Sequence, residues 1–274
     1  MLRGPVAVLG IWFGLRCVAC NPKPRHDSES DTAESSVNGA EPAGPAARAE
    51  GATATATTSS SSGRKGTVSG TVTVSGDAPP VIESVAPKIP VGKCFAAHET
   101  YSKLFREGPN RTLADVLVAV TEYQGQPEPR GDVVELTAAD CAYDRRTIAM
   151  TLGQTLHITN KGKETYTPEL LGLRTKALIL SIPGGDPVEY KPLKPGQYQL
   201  VDRTHPFIFS DVMVLSYPTT AVTGLDGKFR IDGLPPGKAK LSALLPITGQ
   251  SISKVIEIPE GGNVEVNLTF EFDA

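Results

Sequence analysis

The spacing of apolar and polar positions divides the 274-residue chain into three unlike stretches. Residues 1–20 carry Arg3, an apolar run from Pro5 to Leu15 and small residues ahead of Cys20. Residues 21–65 hold almost no large apolar side chain, and Ala, Ser, Thr, Glu, Gly and Pro dominate them. From Gly66 onward, short apolar runs recur with turn formers between them. "GTVSGTVTVSGDAPP" alternates Val68, Val72 and Val74 with small polar residues and stops at Gly76, Pro79 and Pro80. That pattern predicts a strand and then a turn. "LADVLVAVTEY" (113–123) predicts a strand buried on both faces, and "TIAMTLGQTLHITNKG" (147–162) two strands around Gly153 and Gln154. Further strands are predicted at 198–202 and 210–217, on either side of the Gly-Leu-Pro-Pro-Gly turn in 228–246, and twice within 253–272. No stretch sustains a helical period with caps. The turn spacing predicts an all-β fold of sandwich type.

Composition narrows the picture. Hydrophobic residues make up 39% of the chain, enough for a core, and 27 Gly with 23 Pro suit many short strands. A net charge of −3 with no basic cluster argues against a nucleic-acid partner. Residues 21–65 cannot bury enough surface to offset the entropy of ordering them, so they read as a disordered tether in which His26 is solvated. No nucleophile elbow, His-Glu-x-x-His zinc site or phosphate loop occurs, and no pair of carboxylates stands out. The chain therefore reads as a non-enzyme. His157 alternates with Leu156 and Ile158 and is expected at a surface, as is His98 in "KCFAAHETYSK".

The apolar run at the N-terminus is too short to span a bilayer as a mature helix. With "CVA" before Cys20, residues 1–20 resemble a bacterial lipoprotein signal peptide. They depart from it at Cys17, where that family prefers Leu, and at the neighbouring Arg16. The resemblance implies that Cys20 is lipidated and tethers the protein to a membrane of the bacterial cell envelope. An ordinary cleaved signal or a membrane-anchored start is the alternative. Asn21, rather than Asp, after the cysteine points to the outer membrane, facing the periplasm or the cell surface. Cys94 and Cys141 then remain, and two cysteines in an exported protein most often pair. Their disulfide is expected to staple one module to the other.

Two further resemblances divide the folded part. "AVTGLDGKFRIDGLPPGKAKLSAL" (221–244) resembles the carboxypeptidase regulatory-like, or transthyretin-like, β-sandwich through Thr223, Asp226, Gly227, Phe229, Gly233, Leu234, Pro235, Pro236, Gly237 and Leu241. Ala239 stands where that family has Tyr. Asp-Gly and Pro-Pro-Gly are expected to close successive hairpins. "GTVSGTVTVSGDAPP" and "LADVLVAV" resemble the first two strands of the same module. The intervening piece resembles a cupredoxin, most clearly in "TLGQTLHITNKGKETYTPELLG" and "PGQYQLVDRTHP". The expected layout is signal peptide 1–20, disordered linker 21–65, a discontinuous regulatory-like sandwich over 66–129 plus 217–274, and a cupredoxin-like sandwich over 130–216.

A blue-copper centre needs a Cys thiolate, two His and usually a weak axial Met. The cupredoxin resemblance places those loop ligands at Asp202, His205 and Ile208, and the upstream His at or near Tyr166. Only His205 keeps the ligand type. One imidazole does not hold copper against competing ligands, so no cofactor is expected. His205, Asp202 and Tyr166 remain as weak candidates for a Cu(II) or Zn(II) site. The module then reads as a structural or binding platform, with an unidentified envelope protein or glycan as partner. The alternatives are a copper-binding electron-transfer protein with an atypical site at His205, and an accessory module of an envelope polymer-processing system. Tyr166, Leu170, Phe207 and Phe209, with Pro168, Leu171 and Pro206 beside them, form an apolar set at the former copper end. Exposed, this set marks a partner surface; buried, it is core.

Overall fold

A computed structural model describes residues 63–173 and 178–273. The expected signal peptide with Cys20, and the expected linker up to residue 62, lie outside the described residues. In chain order the strands are β1 (Gly66–Gly76), β2 (Leu117–Thr121), β3 (Val133–Ala139), β4 (Ala142–Tyr143), β5 (Thr147–Thr151), β6 (Thr155–Asn160), β7 (Pro168–Leu171) and β8 (Val188–Tyr190). They continue as β9 (Gly196–Asp202), β10 (Phe209–Leu215), β11 (Thr220–Val222), β12 (Lys228–Leu234), β13 (Gly237–Leu245), β14 (Gln250–Ile258), β15 (Asn263–Glu265) and β16 (Leu268–Phe272). One α-helix, α1 (Phe95–Tyr101), lies between β1 and β2. Among the described residues the fold is all-β apart from α1 and two single turns of 3₁₀ helix.

Four four-stranded sheets enclose two hydrophobic cores. Sheets β12-β1-β15, with β16 also on β1, and β11-β2-β13-β14 surround Val68, Val72, Val118, Val120, Phe229, Leu241 and Phe270. Sheets β5-β10-β9-β7 and β4-β3-β6-β8 surround Leu136, Ile148, Leu156, Ile158, Tyr166, Leu200 and Val212. The alternation in β6 shows why: Leu156, Ile158 and Asn160 are buried while Thr155, His157 and Thr159 are partly exposed. In β2 four consecutive residues are buried, as the unbroken apolar run requires of a central strand.

The Asp-Gly and Pro-Pro-Gly turns differ from expectation. β11 and β13 belong to one sheet and β12 to the facing one, so each turn carries the chain across the sandwich rather than closing a hairpin. Gly227 makes the first crossing possible. Its φ is +67°, and a Cβ there would lie 2.4 Å from the Val72 carbonyl oxygen. The hairpin of this module is β13–β14, in register from Gly237 opposite Ile258 to Leu245 opposite Gln250.

Charged groups are buried where the two cores adjoin. Arg106 grips Asp115 with two hydrogen bonds of 2.6 Å. Arg146 is 1% exposed, donates from Nη1 to the carbonyls of Thr100 and Lys103, and lies over the Phe209 ring at 5.0 Å. These bonds dock the end of α1 onto the second core, where Tyr101 and Ala97 are fully buried.

Candidate functional site

The site at the end of the second sandwich is built by two loops and one disulfide. Asn160, buried at the end of β6, shapes the first loop. Its Nδ2 donates to the carbonyls of Glu164 and Ser181, both at 2.7 Å, and its Oδ1 accepts the Gly162 N–H at 2.9 Å. That wrap turns Glu164 toward the sandwich while leaving its side chain 56% exposed. The second loop joins β9 to β10. The Asp202 N–H donates to the Ile208 carbonyl and the Ile208 N–H to the His205 carbonyl, closing the loop on itself.

Asp202 is the centre of this loop, and its side chain is entirely out of solvent. Oδ2 accepts the Thr167 N–H at 2.6 Å, and Oδ1 accepts the N–H groups of Thr204 at 3.0 Å and His205 at 2.7 Å. Oδ1 also lies 3.0 Å from His205 Nδ1. The other ring nitrogen, Nε2, lies 3.2 Å from Glu164 Oε2. His205 is thus clasped between a buried and an exposed carboxylate, with the Tyr166 and Phe207 rings 5.5 and 5.9 Å from its own.

Cys94 and Cys141 form a disulfide, with Cα atoms 5.0 Å apart. Both are buried in the second core, so the bond joins two segments of one core instead of stapling two modules. The Cys141 sulfur is 3.9 Å from Glu164 Oε2 and carries no proton to share. The Cys141 N–H donates to the Tyr166 hydroxyl at 3.0 Å. Burial and the charges of Glu164 and Asp202 push the Tyr166 phenol up, and only the bond from Cys141 opposes them. A phenol held protonated is a poor metal ligand.

Of the apolar set that suited either a partner surface or core, Tyr166, Leu170 and Phe207 are core. Leu170 points inward from β7, Tyr166 and Phe207 are buried from the loops, Phe209 is half-buried against Tyr101, and Leu171 and Pro206 are exposed. Leu178, Leu180 and Ile182 are the large apolar side chains exposed beside the Tyr166–Ser181 pairing. His157 lies on the open face of β6 between Glu135 at 3.6 Å and Glu189 at 3.2 Å. His98 lines an open groove of about 770 Å³ with Lys103, Arg106 and Glu107. Glu164 was not singled out in the sequence.

The residues present do not fit a blue-copper centre. Asp202 stands where the resemblance puts the thiolate, its oxygens already hold three backbone N–H groups, and Cys141 is committed to a disulfide.

No protein-family model matches the chain, and no curated protein is similar to it. Among solved structures it is similar to a reduced mutant of amicyanin, at 15% identity over 35% of this chain and 97% of that one, with a TM-score of 0.28. It is also similar to a purple cupredoxin from Nitrosopumilus maritimus, at 18% identity over 29% of this chain and 97% of that one, with a TM-score of 0.25. A copper-containing nitrite reductase from Thermus scotoductus aligns at 14% identity over 32% of this chain and 25% of its own, with a TM-score of 0.25. Each similarity is confined to about a third of this chain, and none transfers a residue's role.

Proposed function

We propose that this is a non-enzymatic, lipid-anchored protein of the bacterial cell envelope. Its second sandwich is a cupredoxin-like module without a copper centre that serves as a structural or binding platform. One observation carries this reading. The single histidine at the former copper end has both ring nitrogens engaged, by Asp202 and Glu164, and Asp202 is saturated by backbone donors. This is a structural clasp, and recruiting Asp202 for copper would leave the N–H groups of Thr167, Thr204 and His205 unpaired. The anchor rests on Cys20 and the apolar run before it. The described residues contain no helix long and apolar enough to cross a membrane. The partner is an envelope protein or a surface glycan.

Titrating the purified, disulfide-bonded full chain with Cu(II) and Zn(II), beside His205→Ala, tests the platform. Neither protein is expected to take up a stoichiometric ion with sub-micromolar affinity. Tight binding that disappears in the variant would overturn the reading and restore a metal function. The anchor has its own test. Cys20→Ala is expected to move the protein from the membrane fraction to the soluble fraction of exporting cells, and unchanged membrane association would refute lipidation at that residue.

A further inference from the structure

We infer that reduction of the Cys94–Cys141 disulfide converts this clasp into a zinc site built from Cys94, Cys141, His205 and Glu164. The platform reading concerns the disulfide-bonded form, and this inference goes beyond it to the reduced one. A Cys141 sulfur, a Glu164 oxygen and a His205 ring nitrogen all lie within 4.8 Å of one another. Around a tetrahedral zinc ion with bonds of about 2.0–2.3 Å, nitrogen and oxygen ligands lie roughly 3.3 Å apart and sulfur and oxygen roughly 3.6 Å. The disulfide form already holds His205 Nε2 3.2 Å from Glu164 Oε2, and the Cys141 sulfur 3.9 Å from that oxygen. Two of the three edges are therefore preset, and the third, sulfur to ring nitrogen, closes by at most about 1.2 Å. Cys94 brings the fourth donor because its sulfur is bonded to that of Cys141. Two thiolates on one zinc ion sit roughly 3.8 Å apart, a separation that side-chain rotation reaches from a pair now bonded.

The histidine is oriented for the task. Asp202, held by three backbone N–H groups, takes the Nδ1 side of the ring and leaves Nε2 on the side of Glu164, 3.2 Å from its Oε2. A carboxylate behind the ring fixes the tautomer and raises the basicity of a metal-bound imidazole. The ion has an entrance, since the Glu164 side chain is 56% exposed while that of His205 is 15% exposed. The donor set, two thiolates with one imidazole and one carboxylate, selects zinc or a similarly soft ion over calcium or magnesium.

The step balances. An external dithiol reductant gives two electrons and two protons to the Cys94–Cys141 bond and itself becomes a disulfide. Zinc then displaces the two thiol protons. Both sulfurs are buried, so the exchange needs a local opening of the segment around Cys94, where Val91 and Phe95 are 92% and 68% exposed.

The experiment compares the full chain before and after anaerobic reduction, titrated with Zn(II) and with Co(II) as a spectroscopic stand-in, while circular dichroism follows the fold. The reduced protein is expected to bind one ion at least 100-fold more tightly than the oxidised protein and to show thiolate-to-cobalt charge-transfer bands. His205→Ala and Glu164→Ala keep the disulfide and hence the oxidised fold. After reduction each is expected to weaken binding by 10-fold or more. Asp202→Asn, a change at a positioning residue, is expected to weaken it by roughly 10–100-fold with the cobalt bands retained. Equal affinity in the two redox forms would overturn the inference, as would binding indifferent to His205, or reductive unfolding that zinc does not reverse. Metal uptake by the oxidised form would instead count against the platform reading, so the two failures are distinct.

Discussion

Replacing Cys94 and Cys141 together by alanine is expected to lower the free energy of unfolding by about 3–4 kcal/mol. The bond closes a loop of 47 residues, and the chain-entropy model assigns most of the effect to the freedom it removes from the unfolded chain. In the folded state it fastens a segment with little support of its own. Helix α1 has seven residues, too few to persist alone. Besides the disulfide it is held by the Ala96 N–H on Asp140 Oδ2, the Tyr101 hydroxyl under the Tyr143 N–H, and Arg146 on the Thr100 carbonyl. Alanine is the cleaner change because serine would bury two hydroxyls without partners. Denaturant unfolding of both proteins checks this, through a lower midpoint at an unchanged slope. A loss under about 1 kcal/mol would show that the unfolded chain gains little freedom from the cut. An ordinary domain has about 5–15 kcal/mol of stability, so the reduced protein is expected to stay folded and able to offer its thiolates to an ion.

What the sequence made legible follows from how local each signal is. β1, β5, β6, β9 and β10 were readable because apolar residues alternate or run unbroken between Gly and Pro. β7 was not, because it opens at Pro168 and has only four residues, and β8 and β11 have three each. β3 is mostly exposed at its start, where Val133 and Glu135 face solvent, so its pattern is weak. The turns at Asp226-Gly227 and Pro235-Pro236-Gly237 were recognisable as turns, yet turn chemistry sets local φ and ψ and not which sheet receives the next strand. At the site, His205 and Asp202 stood out as the remains of a ligand loop. Glu164 did not, since a glutamate in "KGKET" looks like any solvated residue and only the folded Asn160 amide aims it at His205. Tyr166, Leu170 and Phe207 suited core and surface equally in sequence; the inward face of β7 decided for Leu170, and the fold of the two loops decided for Tyr166 and Phe207.

Asp202→Ala is expected to cost about 3–5 kcal/mol, the range for removing one member of a buried charged network. The change strands three backbone N–H groups, of Thr167, Thr204 and His205, and each buried donor left unpaired costs about 1–3 kcal/mol unless water reaches it. Thr204 and His205 lie near the surface and can be rehydrated. The Thr167 N–H is buried at the start of β7, against Asp202 at the end of β9, and is the donor least able to recover. The same carboxylate holds His205 Nδ1, so the change also frees the ring that lies 5.5 Å from Tyr166 and 5.9 Å from Phe207. Asp202→Asn separates the contributions. Its amide oxygen can still accept from Thr204 and His205, but its NH₂ then faces the Thr167 N–H, donor against donor. About half the cost of the alanine change is expected. Denaturant unfolding gives the totals, and hydrogen exchange localises them. Exchange of the Thr167, Thr204 and His205 amides is expected to speed up in both variants, with Thr167 alone strongly affected in the asparagine variant. A nearly neutral Asp202→Ala would mean that water or a rearranged loop satisfies these donors, and Asp202 would then not be the structural clasp on which the metal-free reading of this site rests.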